Sequence, residues 1–553
     1  MKEKIASLIS KEIKLDEKEI EKVLEVPPSP ELGDFSFPCF TLAKNLRKNP
    51  LEIASELTER FRKKLPSEIS GVDFKGAYVN FFIDKKVLAK NVLKNVGKKG
   101  FGVVGKNNGK IVIDMSSPNI AKPFGIGHLR STIIGNSIAK ICEANGFDVV
   151  KINYLGDWGT QFGKIIFGYK KWGDAKKLLK DPIKHLNEIY VKANDEKYEE
   201  ESRLEFKKLE SKDKENLELW EKFRKLSLEE FNKIYELLGI KFDLIDGESN
   251  YNSKMDEIVE ELKKKKLVKK DDGALVVDLT SECLGVSLIQ KSDGTSLYTT
   301  RDLALAISRY NKYKFKRGIY EVGSEQKLHF KQLFIILKKM GYSWSKDLVH
   351  VAHGLYLDKD GKKFSTRKGK TVFMKDVLDE VFEKAKKNLS LRDGIKGPEL
   401  DKRARSIGIA AIFYGDLSSS RESNVVFDID RFLKFEGDTG PYLLYSYARA
   451  SSIVRKVKKK GAVKILDLKD EEISLLKKIS HFEDIVKKAY DELAPNLIAN
   501  YSFELAKSFN EFYHACPVVG SIEEPFRLAL VDAFMVKMKK SLDLLGIDVL
   551  EEM

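Results

Sequence analysis

The sequence predicts a multidomain α/β protein: a parallel-sheet core of doubly wound type, preceded by a small α+β domain and followed by an all-helical bundle. Three observations carry this. At 553 residues the chain is too long for one hydrophobic core and divides into about three domains of roughly 100–200 residues. The stretch "KIVIDM" (110–115), a glycine-punctuated turn, a helical run and "FDVVKINYLGDWG" read as strand, turn, helix, strand, a βαβ unit. Beyond about residue 400 the apolar spacing is helical, as in "PYLLYSYARASSIVRKVKKK" and "RLALVDAFMVKMKKSLDLLG".

Residues 1–105 open with helical periodicity, pass Pro and Gly punctuation in "SPELGDFSFPCF", and reach "GAYVNFFI", which alternates as a strand does. The core is expected over 106–370. In it Ile111 to Met115 is an apolar run broken only by Asp114, the mark of a parallel strand buried on both faces. A highly charged block near 166–240 reads as an inserted helical pair, a solvated surface module without chemistry. Strand and helix signals alternate again from about 240 to 355, and 371–553 is expected to hold a stem-contact region followed by a helical domain, all helix after about 400.

Composition narrows the function classes. Apolar residues make up 42% of the chain, enough for globular cores, but no run approaches the roughly 20 residues of a membrane span. The charged N-terminus reads as an amphipathic helix rather than a signal peptide. Cys39, Cys142, Cys283 and Cys516 form no C-x-x-C pair, which argues against a thiolate metal site or a disulfide framework and fits a reducing cytosol. The net charge of +15, from 99 Lys and Arg against 84 Asp and Glu, suits a polyanionic partner or reflects a generally lysine-rich composition.

Two stretches carry chemistry. In "SSPNIAKPFGIGHLRSTIIGNS" (116–137) a dinucleotide fingerprint would follow Gly125 and Gly127 with a third glycine where Arg130 stands, and a P-loop fails because Phe364 lies five before Gly369. What remains is a glycine turn into a helix. Gly127 lets a purine lie on bare backbone, and His128 beside a helix N-terminus suits a phosphate, unless the turn is an ordinary one with a satisfied histidine. The second stretch, "DKDGKKFSTRKGKTV" (358–372), gathers Lys363, Ser365, Thr366 and Arg367. It reads as a clamp on a triphosphate or as a solvated charge run.

Together these stretches resemble the H-x-G-H turn and K-M-S-K-S loop of class I aminoacyl-tRNA synthetases. "SPNIAKPF", "NYLGDWGTQFG", "LYTTRDLA", "VGSEQKLHF", "KFSTRKG" and "FEGDTGPYLLYSYAR" are similar to the arginyl-tRNA synthetase family, in its order, from about residue 30 to the end. The resemblance implies a Rossmann-type catalytic core between two tRNA-binding domains, an added N-terminal domain and a helical anticodon-binding bundle. It implies a cytoplasmic monomer that joins L-arginine to ATP, with Mg²⁺ on the phosphates, and then charges tRNA(Arg), the first step needing bound tRNA.

By the same resemblance Pro123, Phe124, Gly125, Ile126, Gly127 and His128, with Lys363, Phe364, Ser365, Thr366 and Arg367, meet ATP. Ser117, Asn119, Glu248, Tyr298, Asp302 and Gln326 meet arginine, whose planar, five-donor guanidinium suits a fork of carboxylates. No structural metal is implied. Two departures stand out. Gly125 replaces the first histidine of H-x-G-H, leaving a catalytically impaired tRNA-binding paralogue as the alternative. Thr366 stands where many class I enzymes carry a second lysine, and Lys122, just before the turn, is expected to substitute for it. Tyr78 and Asn80 share one face of the "GAYVNFF" strand, an aromatic and an amide suited to a splayed tRNA base.

Overall fold

The computed structural model describes residues 2–96, 108–292, 297–364, 366–367, 370–393, 396–457 and 461–553. The chain forms two compact units. One comprises Met1–Phe101, Ile453–His481 and Ser508–Val536; the other comprises Gly102–Ser452, Phe482–Lys507 and Lys537–Met553. The closing helical region therefore contributes to both.

In the first unit, β1 (Phe35–Pro38), β2 (Ile69–Lys75) and β3 (Tyr78–Ile83) form an antiparallel sheet in the order β1-β3-β2. The helix Pro50–Arg62 starts on an Asn49 cap with Pro50 in its first turn. Its buried residues Ile53, Ala54, Leu57 and Phe61 fall on one helical face, and the Phe61 ring lies 5.5 Å from that of Phe81.

The second unit is built on β4 (Lys110–Asp114), β5 (Asp148–Leu155) and β6 (Leu244–Gly247), then a small antiparallel sheet of β7 (Lys269–Asp271), β8 (Ala274–Asp278) and β9 (Val286–Gln290), then β10 (Arg317–Gly323) and β11 (Leu348–His353). Five of these strands form one parallel sheet in the order β11-β10-β4-β5-β6. The chain builds outward from β4 through β5 and β6, then returns to its other side. The switch point, where open α/β sheets hold their ligands, therefore lies at the carboxyl end of β4. Ile111, Val112 and Ile113 are buried there as their apolar run requires. The following helix, Ile126–Ala144, is buried on nearly every side, and a Cβ at Gly135 would come 2.4 Å from that of Met115, so only glycine permits that approach.

The charged insertion differs from its expectation as a solvated helical pair. It contains Thr160–Trp172, Ala175–Lys180, Pro182–Ala193, Glu199–Glu210 and Lys214–Leu238, and the last buries Phe223, Ser227, Phe231 and Tyr235. The i, i+4, i+8, i+12 spacing of those four residues is the apolar face of an amphipathic helix, and what it covers is the functional turn.

Candidate active site

Between β4 and the helix Ile126–Ala144, three non-glycine residues adopt left-handed backbone: Ser116 (φ 74°), Ser117 (φ 50°) and Ala121 (φ 59°). Each costs on the order of 1–3 kcal/mol and persists only where neighbours over-determine it. Here they do. The N–H groups of Ser116, Ser117 and Ala121 donate to Ser131 Oγ (3.0 Å), Asn153 Oδ1 (3.2 Å) and Ser227 Oγ (2.8 Å). Tyr235 joins Ser116 Oγ at 2.7 Å. Asn119 pairs with Gly156 as an isolated bridge, and a Cβ on Gly156 would fall 1.9 Å from Asn119 Oδ1, so glycine makes room for that amide.

Gly125 caps the helix with φ −85° and ψ 164°, backbone that any residue adopts, and the nearest atom to a Cβ there would be His128 Nδ1 at 3.8 Å. The glycine is thus not forced by its conformation. Its N–H donates to His128 Nδ1 (3.1 Å), which leaves the imidazole hydrogen on Nε2, free to donate. Burial, and secondarily the charge of His353, lowers the His128 pKa to about 4, so this imidazole is neutral. Gly127 is exposed, with no atom of the described residues within 4 Å of a Cβ there, leaving open ground for a flat ring. Phe124 and Ile126 are buried, Pro123 partly so, and the Phe124 ring packs edge-on to Phe231 (5.9 Å) and Tyr235 (5.6 Å). The Lys122 ammonium lies 4.8 Å from the Tyr190 ring centroid, over a helix of the insertion.

The basic loop leaves the same sheet edge. Lys363 bridges Leu357, and its Nζ lies 3.7 Å from Glu325 Oε1, just beyond β10. The Phe364 ring stacks on Phe427 at 5.6 Å and 19°, and its N–H donates to Tyr356 O at 2.9 Å. Phe364 thereby anchors the loop's first half. Thr366 and Arg367 pair antiparallel with Thr371 and Lys370. Ser365 lies outside the described residues.

Carboxylates gather at the same carboxyl edge of the sheet. Glu248 follows β6 directly, and Arg301 Nη1 stands 3.3 Å from its Oε2. Burial is the largest influence on Glu248, and its pKa rises to about 7 despite Arg301. Asp302 meets His329 Nε2 at 2.7 Å. Tyr298, one helical turn before Asp302, is exposed, its ring 5.2 Å from His329. The Ser117 hydroxyl donates to Asp114 Oδ1 (3.1 Å), and Arg309 Nη1 meets Asp114 Oδ2 (2.7 Å). Gln326 is exposed in the turn after β10.

Tyr154, which sequence reading passed over, belongs with this group. Among the described residues its hydroxyl is buried without a hydrogen-bond partner, and its pKa is raised by burial first and then by the charges of Asp302 and Glu248. A buried phenol that feels two carboxylates and has its polar end unmet calls for a physical explanation. Its position in "NYLGDWG" at the end of β5 was the available signal. Asp157, in the same motif, accepts from Ser249 N–H (2.9 Å) and Arg224 Nε (3.1 Å), tying β5 to the turn that carries Glu248.

In the first unit, Tyr78 and Asn80 lie on the central strand. Asn80 is buried and its Oδ1 accepts from Ser36 Oγ, whereas Tyr78 is partly exposed, its ring edge-on to exposed Phe40 at 5.7 Å.

The chain is similar to known proteins along its length. Residues 89–429 match the model of the class I (R) tRNA synthetase catalytic domain, residues 443–553 the DALR anticodon binding domain, and residues 1–83 the arginyl-tRNA synthetase N-terminal domain. The chain is 45% identical to an arginine–tRNA ligase of Clostridium botulinum, with 100% of both chains covered. It is 44% identical to that of Clostridium acetobutylicum, again over 100% of each. The arginyl-tRNA synthetase of Thermus thermophilus superposes with a TM-score of 0.83 at 26% identity, covering 100% of this chain and 99% of that one. With a strained signature turn, a basic loop and paired carboxylates at one sheet edge, and matches along its whole length, the chain belongs to the class I arginyl-tRNA synthetase family.

Proposed function

We propose that this chain is an arginine–tRNA ligase (EC 6.1.1.19) that works as a cytoplasmic monomer. A carboxylate oxygen of L-arginine attacks the α-phosphorus of ATP, and pyrophosphate leaves. The resulting arginyl-adenylate then passes its arginyl group to the terminal ribose of tRNA(Arg). Bound tRNA is required for the first step. The observation that carries this reading is the grouping of Glu248, Asp302 and the partnerless Tyr154 hydroxyl at the sheet edge that also bears the glycine turn and Lys363.

In this reading Pro123 to His128 receive ATP, the base lying over Gly127 and His128 Nε2–H donating to a phosphate oxygen. Lys363, Ser365, Thr366 and Arg367 meet the phosphates, and the Phe364 ring anchors the first half of the loop on Phe427. Ser117 and Asn119 hold the amino-acid backbone of the substrate. Glu248, Asp302, Tyr298 and Gln326 hold its side chain. Residues 1–105 meet the tRNA through the partly exposed Tyr78, whereas Asn80, expected to share that role, is buried against Ser36 and is closed to a base; the helical part of 371–553 meets the anticodon. Mg²⁺ enters on the phosphate oxygens of ATP, as a hard cation that keeps several waters does. Among the described residues no group of three His, Cys, Asp or Glu side chains could hold a metal by itself.

Arginine-dependent ATP–pyrophosphate exchange, with and without tRNA(Arg), tests the reading. Exchange that requires both arginine and tRNA is expected, and absence of exchange with every component present would overturn it.

Two predictions arise here. Lys122→Ala is expected to slow arginyl-adenylate formation by about 10²-fold while tRNA affinity stays near the parent value, measured by exchange and filter binding. Unchanged exchange would remove Lys122 from the active site. The second concerns pH. With a pKa of about 7, Glu248 is largely protonated at pH 6, and a cationic guanidinium selects the ionised form. As pH rises through 7 the proton leaves, so the KM for arginine should fall by up to about tenfold per unit below pH 7 and level off above it. Glu248→Gln should abolish that slope.

A further inference from the structure

We propose that His353 supplies to the ATP phosphates the imidazole that the signature turn lacks at Gly125, its Nε2–H donating to a phosphate oxygen. This rests on the reading that ATP lies across that turn. His353 ends β11 and is registered with Gly323, the end of β10, at the ligand-bearing edge of the sheet. Its Nδ1 lies 2.7 Å from Glu321 Oε1. Glu321 is fully buried, and its other oxygen accepts from Ser131 Oγ. Gly125, His128 and Ser131 follow one another at three-residue spacing on the turn helix, so one helical face carries the missing imidazole, the surviving one and the bond that locks Glu321.

This geometry orients His353. A buried carboxylate needs a partner of opposite charge, and His353 is the basic group in ion-pair distance of Glu321 among the described residues. With Nδ1–H given to Glu321, the remaining donor is Nε2–H, for which no described residue is a partner. Nε2 lies 3.8 Å from where a Cβ at Gly323 would stand, and Glu325 Oε2 lies 2.8 Å from the same point. Glu325 is also the partner of Lys363. The signature-loop lysine and the His353 donor therefore converge on one spot, which a triphosphate would take over from Glu325.

The surrounding charges are Glu321 and Glu325 beyond the ring's two nitrogens, His128 and Arg130 from the turn helix, Asp416 from the helix Pro398–Leu417, and His350 on the same strand. Arg130 and Asp416 pair at 3.2 Å and largely offset each other. Burial opposes protonation of His353, Glu321 more than compensates, and its pKa is raised. His128 is pushed the other way. Glu321 thus favours the imidazolium form of His353, while burial favours the neutral form of His128. His353 transfers no proton; it offsets charge gathering on the departing pyrophosphate.

The test is His353→Gln in the full-length protein. Removing one charge-assisted hydrogen bond should raise the KM for ATP in exchange by about tenfold or more, with the KM for arginine and the Kd for tRNA within twofold of the parent. Gly125→His in the same background should recover most of that loss, since the backbone at Gly125 accepts a side chain. Glu321→Gln should make the KM for ATP rise with pH through the ordinary histidine range, a shift that a packing role would not produce. If His353→Gln folds poorly, Glu321→Gln/His353→Gln removes both buried charges and gives the same readout. A KM for ATP within twofold of the parent in the folded variants, or no recovery by Gly125→His, would overturn the assignment. A parent that fails to charge tRNA with arginine would instead overturn the function it rests on.

Discussion

Asp302→Asn is expected to lower kcat/KM for arginine by roughly 10²–10⁴-fold, the sum of two weakened charge-assisted hydrogen bonds at about 1.5–3 kcal/mol each. The Asp302 carboxylate is mostly shielded from water and is held by His329 at 2.7 Å. An asparagine keeps the shape and one acceptor, so His329 retains a partner and the fold is undisturbed. What is lost is the charge that the proposed reading sets against the guanidinium. The KM for ATP and the affinity for tRNA should stay within about twofold, which separates a pocket effect from general damage. The same pocket bears on fidelity. Lysine brings the charge but only one ammonium, and citrulline brings the shape without the charge, so each leaves Glu248, Asp302 or Tyr154 unmet. Sites that hydrogen-bond a substrate group reject analogues lacking it by roughly 10⁴-fold or more at activation, without editing. Purified enzyme should therefore leave lysyl-tRNA intact. Rapid deacylation of lysyl-tRNA, or a near-silent Asp302→Asn, would contradict this pocket.

How far the sequence disclosed this site depends on where each residue's information resides. The run Ile111–Met115 reads as a doubly buried strand from its composition, and it is the central strand, with β5 and β10 beside it. The glycine turn and basic loop are contiguous motifs, and so were legible. Residues whose role depends on burial or on a distant partner were not. Tyr154 is an ordinary strand tyrosine until its hydroxyl proves buried beside two carboxylates. Ser227 and Tyr235 sit in a helix whose charge suggested a solvated surface, and helical periodicity reports that a face is covered but not by what. Their partners, Ala121 and Ser116, are more than a hundred residues away. Phe364 reads as a nucleotide contact from its place in the loop, yet its ring packs on Phe427. His353 lay outside every motif, and only the register of β10 and β11 sets it beside Gly323 and near Glu321.

The largest stability effect should come from Arg130, which in the sequence is only the residue that spoils a dinucleotide fingerprint. It is fully buried. Its Nε lies 3.2 Å from Asp416 Oδ1, and its Nη1 and Nη2 donate to the carbonyls of Leu355 and Arg421, both at 3.3 Å. The Tyr356 hydroxyl donates to the other oxygen of Asp416. One guanidinium thus joins the turn helix to the helix Pro398–Leu417 and to the chain just after β11. Arg130→Met retains much of the volume but leaves Asp416 buried without a cation and two carbonyls without donors. Stranding one member of a buried pair costs about 3–5 kcal/mol, enough to lower the catalytic unit's melting transition by several degrees. Arg130→Met/Asp416→Asn removes both charges and keeps an acceptor for Tyr356, so it should recover most of the loss. If the double variant instead melts no higher than Arg130→Met, the cost lies in the two carbonyl bonds rather than in the stranded charge. If Arg130→Met melts with the parent, the pair is not what holds these elements together.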